Sequence, residues 1–181
     1  KIIISSIPVI LIGYILVQTN FIEELRNIKV IAWTTIIFGI LLYISDNFKL
    51  EKEIKTNFNF KAALIIGFFQ AISLIPGVSR SGITITAARL LNFKRFDSAK
   101  ISFLLSIPTL AAVSIYGLNN IFTQEDLDFS IINLFSIFVS FLFSFFTIKF
   151  FLGYIQKFNL NLIIAYRIVL GLALLYFAYL Q

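Results

Sequence analysis

The sequence predicts an all-α, polytopic membrane helix bundle containing one re-entrant helical hairpin. Three observations carry this reading. The 181 residues are 59% hydrophobic and 13% charged, more apolar surface than a water-soluble domain of this length can hide, so lipid is part of the solvent. Apolar runs recur at 2–18, 28–45, 62–75, 79–91, 98–118, 130–152 and 161–180. Between those runs gather the cations, as orientation across a membrane requires.

Taken in order, the runs divide by length. A helix needs about 20 residues to cross the hydrocarbon. The first, second, fifth, sixth and seventh runs meet that length, given interfacial ends and tilt. The third and fourth are each a little over half a span, and Pro76-Gly77 separates them. Proline removes a backbone donor and glycine permits a sharp turn. Residues 62–91 therefore read as a hairpin that enters halfway, turns and returns. Pro108 in "LLSIPTLAA" is expected to kink the fifth run, with Ser106 or neighbouring helices satisfying the backbone. Gly67 and Ala71, and Ser136, Ser140 and Ser144, recur four residues apart and read as faces for close helix packing.

Charge placement tests the hairpin. Lys49, Lys52, Lys55 and Lys61 lie before it, and Lys94, Arg95 and Lys100 after it. Lys149 and Lys157 flank a later loop, whereas 119–129 carries Glu125, Asp126 and Asp128. The positive-inside rule puts the basic loops in the cytoplasm and the acidic one outside. Two cytoplasmic loops on either side of 62–91 require that segment to turn back, with Asn57 and Asn92 inside and Asn120 outside.

Composition also removes function classes. The chain has no cysteine and no histidine, so thiol chemistry, disulfides and the commonest general base are absent. The net charge of +6 sits in the loops and calls for no nucleic acid. The chain starts at Lys1 with apolar residues following at once and no signal-peptide pattern. The expectation is a single transmembrane domain, 1–181, that is an N-terminally truncated piece of a longer protein.

Chemistry concentrates in "LIPGVSRSGITIT" (74–86). No acidic residue falls between Ile54 and Phe96, so Arg80 and Arg89 have no local partner, and Arg167 has none in its own run. Intramembrane cations are expensive and mark functional sites. A helix starting near Ser79 would aim unpaired N–H groups and a positive dipole end toward mid-membrane. Ser79, Ser81 and Thr84 add hydroxyls, Arg80 a fork suited to phosphate oxygens, and Gly82 close access to the backbone. Together these make an anion cradle best matched to phosphate. The plainer alternative is that Ser79 is an N-cap and Arg80 binds carbonyls of a neighbouring segment. Arg89 reads as an interfacial, snorkelling residue. Arg167 reads either as a second phosphate ligand or, slightly preferred, as another snorkelling side chain.

The stretch "IGFFQAISLIPGVSRSGITITAARLL" strongly resembles the second signature region of the undecaprenyl-pyrophosphate phosphatases, the bacitracin-resistance membrane enzymes. "PGVSRSGIT" (76–84) matches their pattern position by position, and 103–112 and 165–175 also look like the family. The resemblance covers nearly the whole chain. It implies an inverted-repeat fold with a re-entrant hairpin in each half, of which this chain holds one half plus flanking helices. It implies catalytic Ser79, Arg80 and Thr84, with Arg80, Ser81 and Gly82 holding the substrate's phosphates. The implied activity is removal of the terminal phosphate of a polyprenyl pyrophosphate on the external face of a bacterial inner membrane, recycling the carrier for peptidoglycan synthesis. The family's glutamate-rich signature with serine and histidine is absent here. A divalent cation, magnesium or calcium, is implied by the resemblance, with its ligands outside this chain and no metal ligand within it. The lipid and the membrane are the implied partners, with homo-oligomerisation open. A lipid-phosphate transporter or flippase is the alternative, because inverted repeats and midplane anion sites serve transport too.

Overall fold

The computed structural model describes residues 1–19, 24–48, 52–123 and 131–180. Among them are eight helices: α1 (Ile2–Gln18), α2 (Ile28–Asp46), the short α3 (Ile54–Asn57), α4 (Phe60–Ile72), α5 (Arg80–Leu90), α6 (Arg95–Thr123), α7 (Ile131–Lys157) and α8 (Asn161–Leu180). The described residues contain no strand, only an isolated parallel bridge between Lys52 and Phe93. Lys49, the acidic residues of 119–129 and the side chain of Asn120 lie outside what is described.

Four helices are long and apolar enough to span a membrane: Ile28–Asp46, Arg95–Gly117, Ile132–Lys157 and Asn161–Leu180. The first apolar run does not join them, contrary to the length expected of it. α1 has 17 residues, and its buried residues Ser5, Ser6, Pro8 and Val9 face protein. One face of α1 packs closely on α4. A Cβ on Gly67 of α4 would lie 2.9 Å from the Ser5 carbonyl carbon, so α1 and α4 touch backbone to backbone.

α4 and α5 form the predicted hairpin at the centre of the bundle. Asn59 caps α4 by accepting from Ala62 N at 2.8 Å, and the chain turns at Pro76-Gly77 before Ser79 caps α5. The arms pack on each other, with α1 on α4, α2 on α5 and α6 against α5 and α1. α8 lies along α2. Small residues make the close arms feasible: Ala62, Ala63, Ala87 and Ala88 are buried with Ile66, Ile101 and Leu105 in one core cluster.

The two ends of the hairpin meet. Lys52 N donates to Asn92 O at 3.0 Å, and Lys94 N to Lys52 O at 3.0 Å. Phe58 and Phe93 stack edge to face with ring centroids 6.3 Å apart. An exposed Lys94–Glu53 pair at 2.5 Å adds little stability, although the lysine holds the Glu53 carboxyl below its ordinary pKa and its own is raised in return.

Asp46 ties the third basic loop to the same side. Its carboxylate takes Arg89 Nη2 at 3.0 Å and Arg95 Nε at 2.8 Å, and Leu160 N at 3.4 Å. Its backbone carbonyl also accepts from Arg89 Nη2. Arg89 is therefore no snorkelling residue. It is wholly buried and its partner comes from 43 residues away. We expect cysteines placed at the exposed positions Asn57 and Asn92 to react with an impermeant reagent from one and the same face. Labelling from opposite faces would exclude the hairpin topology.

α2 measures the depth of the hairpin. Its buried residues Ala32, Thr35, Gly39, Leu42 and Asp46 follow helical spacing, and Asp46 meets the hairpin base while Thr35 approaches its tip. About eleven residues separate these levels, roughly 17 Å at ~1.5 Å per residue. That is close to half of a ~30 Å hydrocarbon core. The tip thus stands about half a membrane's thickness from the hairpin base.

α7 behaves otherwise than its serine spacing predicts. From Ile132 to Tyr154 none of its residues is buried, and Phe138, Phe141, Phe143 and Phe150 stand outward. Ser136, Ser140 and Ser144 are exposed, and Ser136 Oγ donates to its own helix at Ile132 O. The spacing that lets Gly67 approach α1 thus leaves these three serines of α7 exposed among the described residues. So large an apolar exposure suits lipid, not water.

Candidate active site

The hairpin tip is built by a glycine and held by a helix. Gly77 has φ +86, a conformation that costs other residues about 1–2 kcal/mol. A Cβ there would also lie 2.5 Å from Ile31 O, so glycine answers both the turn and the contact with α2. Thr34 Oγ1 donates to Pro76 O at 2.7 Å, and Thr35 Oγ1 lies 3.3 Å from Gly77 O. Neither threonine carries a sequence signal of its own. Both sit mid-helix where their hydroxyls would ordinarily bond back to the preceding turn.

α5 starts directly behind this turn. Ser79 is its N-cap, accepting from Gly82 N at 3.1 Å, and its Oγ lies 3.2 Å from Ser81 Oγ. The cap expected as the plainer reading is present. It uses a lone pair of Ser79 and leaves the hydroxyl proton free to turn. The first turn of α5 presents N–H groups with no helical partner, and the positive end of the helix dipole lies at the same point.

A cavity of about 410 Å³ opens here. Its lining includes Gly77, Ser79, Ser81 and Gly82 from the hairpin, Thr35 from α2 and Arg167 from α8. Arg80 is not among the lining residues. It is half-buried, and among the described residues no side-chain hydrogen bond or ion pair involves it. The carbonyl-binding role weighed for Arg80 belongs instead to Arg167, whose Nη2 donates to Gly77 O at 3.2 Å and Thr35 O at 3.4 Å. Arg167 is buried, at 7% exposure, so the preferred reading of it as a snorkelling side chain is wrong.

Thr84 lies on another face. It is buried, with Oγ1 2.9 Å from Arg80 O and 2.7 Å from Ser102 Oγ of α6. Its hydroxyl is engaged in packing α5 onto α6, and it does not line the cavity. Ser81 is only about 60° from Thr84 around the helix, since each residue advances by about 100°; what separates them is partnership, Thr84 being taken by Ser102 of α6 while Ser79 and Ser81 line the cavity.

Apolar side chains such as Leu42, Ile85 and Leu160 make up much of the lining, and its polar side chains, the hydroxyls of Thr35, Ser79, Ser81 and Tyr166 and the guanidinium of Arg167, can all donate to an anion. Among the described residues no three His, Cys, Asp or Glu side chains come together to hold a metal ion, and Asp46 is engaged by Arg89 and Arg95. The described residues do not fit a divalent cation.

Fold and site define a multi-pass membrane protein with a cavity at the tip of a two-armed helical hairpin. The family model described as Bacitracin resistance protein BacA matches residues 1–173. Similar proteins include the undecaprenyl-diphosphatase of Pelagibacter ubique, 53% identical across 98% of this chain and 69% of the relative. Those of Saccharophagus degradans and Chromohalobacter salexigens are 40% and 42% identical, over 98% and 96% of this chain and 67% and 65% of theirs. This chain belongs to the bacitracin resistance protein BacA family. It spans about two thirds of the length of these relatives.

Proposed function

We propose that these residues form the phosphate-binding part of a membrane phosphatase that converts undecaprenyl diphosphate to undecaprenyl phosphate and inorganic phosphate. That reaction recycles the lipid carrier for peptidoglycan synthesis and confers resistance to bacitracin. The observation that carries the reading is the set of donors at the start of α5, at the tip of the hairpin and, among the described residues, without a carboxylate paired to them. Such a set needs an anion. Membership of the family and the names of the relatives supply its kind.

In this reading the isoprenoid tail lies among the exposed apolar helices and the headgroup reaches the hairpin tip. Water is the co-reactant: its oxygen ends bonded to the terminal phosphorus as the bond from that phosphorus to the bridging oxygen breaks, a water proton goes to the base, and the bridging oxygen leaves with undecaprenyl phosphate. Arg80, unengaged in the resting protein, closes on the phosphates and neutralises charge that grows at the leaving oxygen. Ser79 turns its free O–H to the terminal phosphate, Ser81 donates beside it, and Gly82 lets the oxygens approach the backbone. Thr84 acts one step back, holding α5 on α6 through Ser102. The acid, the base and any ligands for magnesium or calcium come from sequence outside 1–181. The basic loops face the cytoplasm of a bacterial inner membrane and the site opens outward.

Phosphate release from a polyprenyl diphosphate tests this division in three samples. The 181-residue chain alone should stay at background, as should the remaining third of the relatives' length expressed separately. Co-expression should restore hydrolysis, because independently inserted helices associate by packing. Full turnover by the chain alone would refute the division. Movement of the lipid across vesicles with no phosphate released by the complete protein would replace hydrolysis by transport.

A further inference from the structure

We infer that Arg167 is a second anion-binding residue of this site, which holds one phosphate group of a diphosphate while Arg80 takes the other. The inference rests on the phosphate-binding reading of the hairpin. It adds a residue from the last helix and a reason for preferring diphosphate to monophosphate.

Arg167 is the arginine that lines the cavity. Only part of its guanidinium is engaged by protein. Nη2 reaches Gly77 O and Thr35 O at 3.2 and 3.4 Å, both longer than the 2.7–2.9 Å of strong charge-assisted bonds. Nε is buried and unpartnered. Nη1 lies against Gly82, where an added Cβ would come within 3.0 Å of it. Among the described residues no carboxylate pairs with it. Burying a guanidinium costs several kcal/mol, and two long bonds to neutral carbonyls do not offset that. Arg89 shows the contrast within the same molecule: equally buried, it has Asp46. Arg167 lacks such a counter-charge, and the space before it is a cavity lined with Ser79, Ser81 and Gly82.

Helical geometry sets the relation to Arg80. Gly82 follows Arg80 by two residues, a turn of about 200°. Arg80 and the Gly82 face that Arg167 touches therefore lie on opposite sides of α5. In the proposed complex the two guanidinium groups close on the helix start from either side, with the N–H groups of its first turn between them. One phosphate can engage one guanidinium, whereas two linked phosphates can engage both. The close seat of Arg167 also depends on the α2–α8 crossing. A Cβ on Gly39 would lie 3.4 Å from Arg167 Cβ, and one on Gly171 3.2 Å from Ala32 O.

The test uses the complete protein in detergent micelles, with inorganic pyrophosphate and orthophosphate as probes in calorimetric titrations. The unsubstituted protein should bind pyrophosphate more tightly. Arg167→Lys keeps a charge and one donor for Gly77 O but loses the fork. It should melt near the parent temperature without anion, bind pyrophosphate at least tenfold more weakly, and lose most of its preference over orthophosphate. Arg167→Gln should bind more weakly still. Unchanged pyrophosphate affinity in a folded Arg167→Lys protein overturns the inference, as does absence of a preference in the parent. If neither variant folds, protection decides: pyrophosphate should shield Arg167 of the parent from phenylglyoxal, read by mass spectrometry, and no shielding overturns it. Phosphate release is measured in parallel. Shielding without hydrolysis keeps this inference and removes the hydrolase reading. Normal kcat and KM in Arg167→Lys does the reverse.

Discussion

Arg80→Lys in the complete protein should lower turnover at least about 100-fold while leaving thermal stability within the ±0.5 kcal/mol typical of neutral changes. The two halves of this expectation have separate causes. Lysine retains the charge but cannot present two parallel N–H groups to phosphate oxygens, and transition-state donors of this kind are worth about 3–4 kcal/mol. Stability should hold because no ion pair or side-chain hydrogen bond of Arg80 exists to be lost among the described residues. Steady-state assays on a polyprenyl diphosphate, run beside thermal melts, separate the two. Near-normal turnover would mean that Arg80 serves only as a charge, and a large fall in melting temperature would make it structural.

Arg89→Met should do the opposite, costing about 3–5 kcal/mol of stability. Asp46 would keep Arg95 and the Leu160 N–H as partners, which points to the lower end of that range. It would still be a buried carboxylate, at 4% exposure, that has lost its buried counter-charge. The stretches 46–48, 89–95 and 158–160 meet at this point, so their junction should loosen together. Equilibrium unfolding in mixed detergent measures the loss. Asp46→Leu combined with Arg89→Leu should cost less than the sum of the single changes, since each single change strands a charge. Strict additivity would mean that the pair is not coupled. In a membrane protein this test also separates fold from site, because Arg89 lies at the opposite end of α5 from Ser79.

Much of the fold was legible as local pattern. The expected spans 28–45 and 161–180 correspond to Ile28–Asp46 and Asn161–Leu180. The half-length runs 62–75 and 79–91 became Phe60–Ile72 and Arg80–Leu90. Such features depend on neighbours in the chain: unbroken apolar length makes a spanning helix, and Pro76-Gly77 breaks one. The cap at Ser79 was legible for the same reason, since its acceptor and donor are three residues apart. By itself, then, the sequence determined a bundle of membrane helices, a hairpin interrupting it, and a serine-capped turn at the hairpin's tip.

What it could not specify was partnership across distance. Asp46 is the last residue of a spanning helix and looks interfacial until Arg89 and Arg95 arrive from beyond the hairpin. Arg167 looks like a side chain reaching for the headgroups until α8 lies along α2 and turns it into the cavity. The same serine spacing is mute about whether another helix comes to meet it, as α7 demonstrates. The physical reason is one of range. Backbone geometry and apolar periodicity are properties of a few consecutive residues, whereas the cost of a buried charge depends on which groups the tertiary fold brings within a few ångströms. Only the tertiary structure decided that one buried arginine is paired with a carboxylate while another stands before an open cavity.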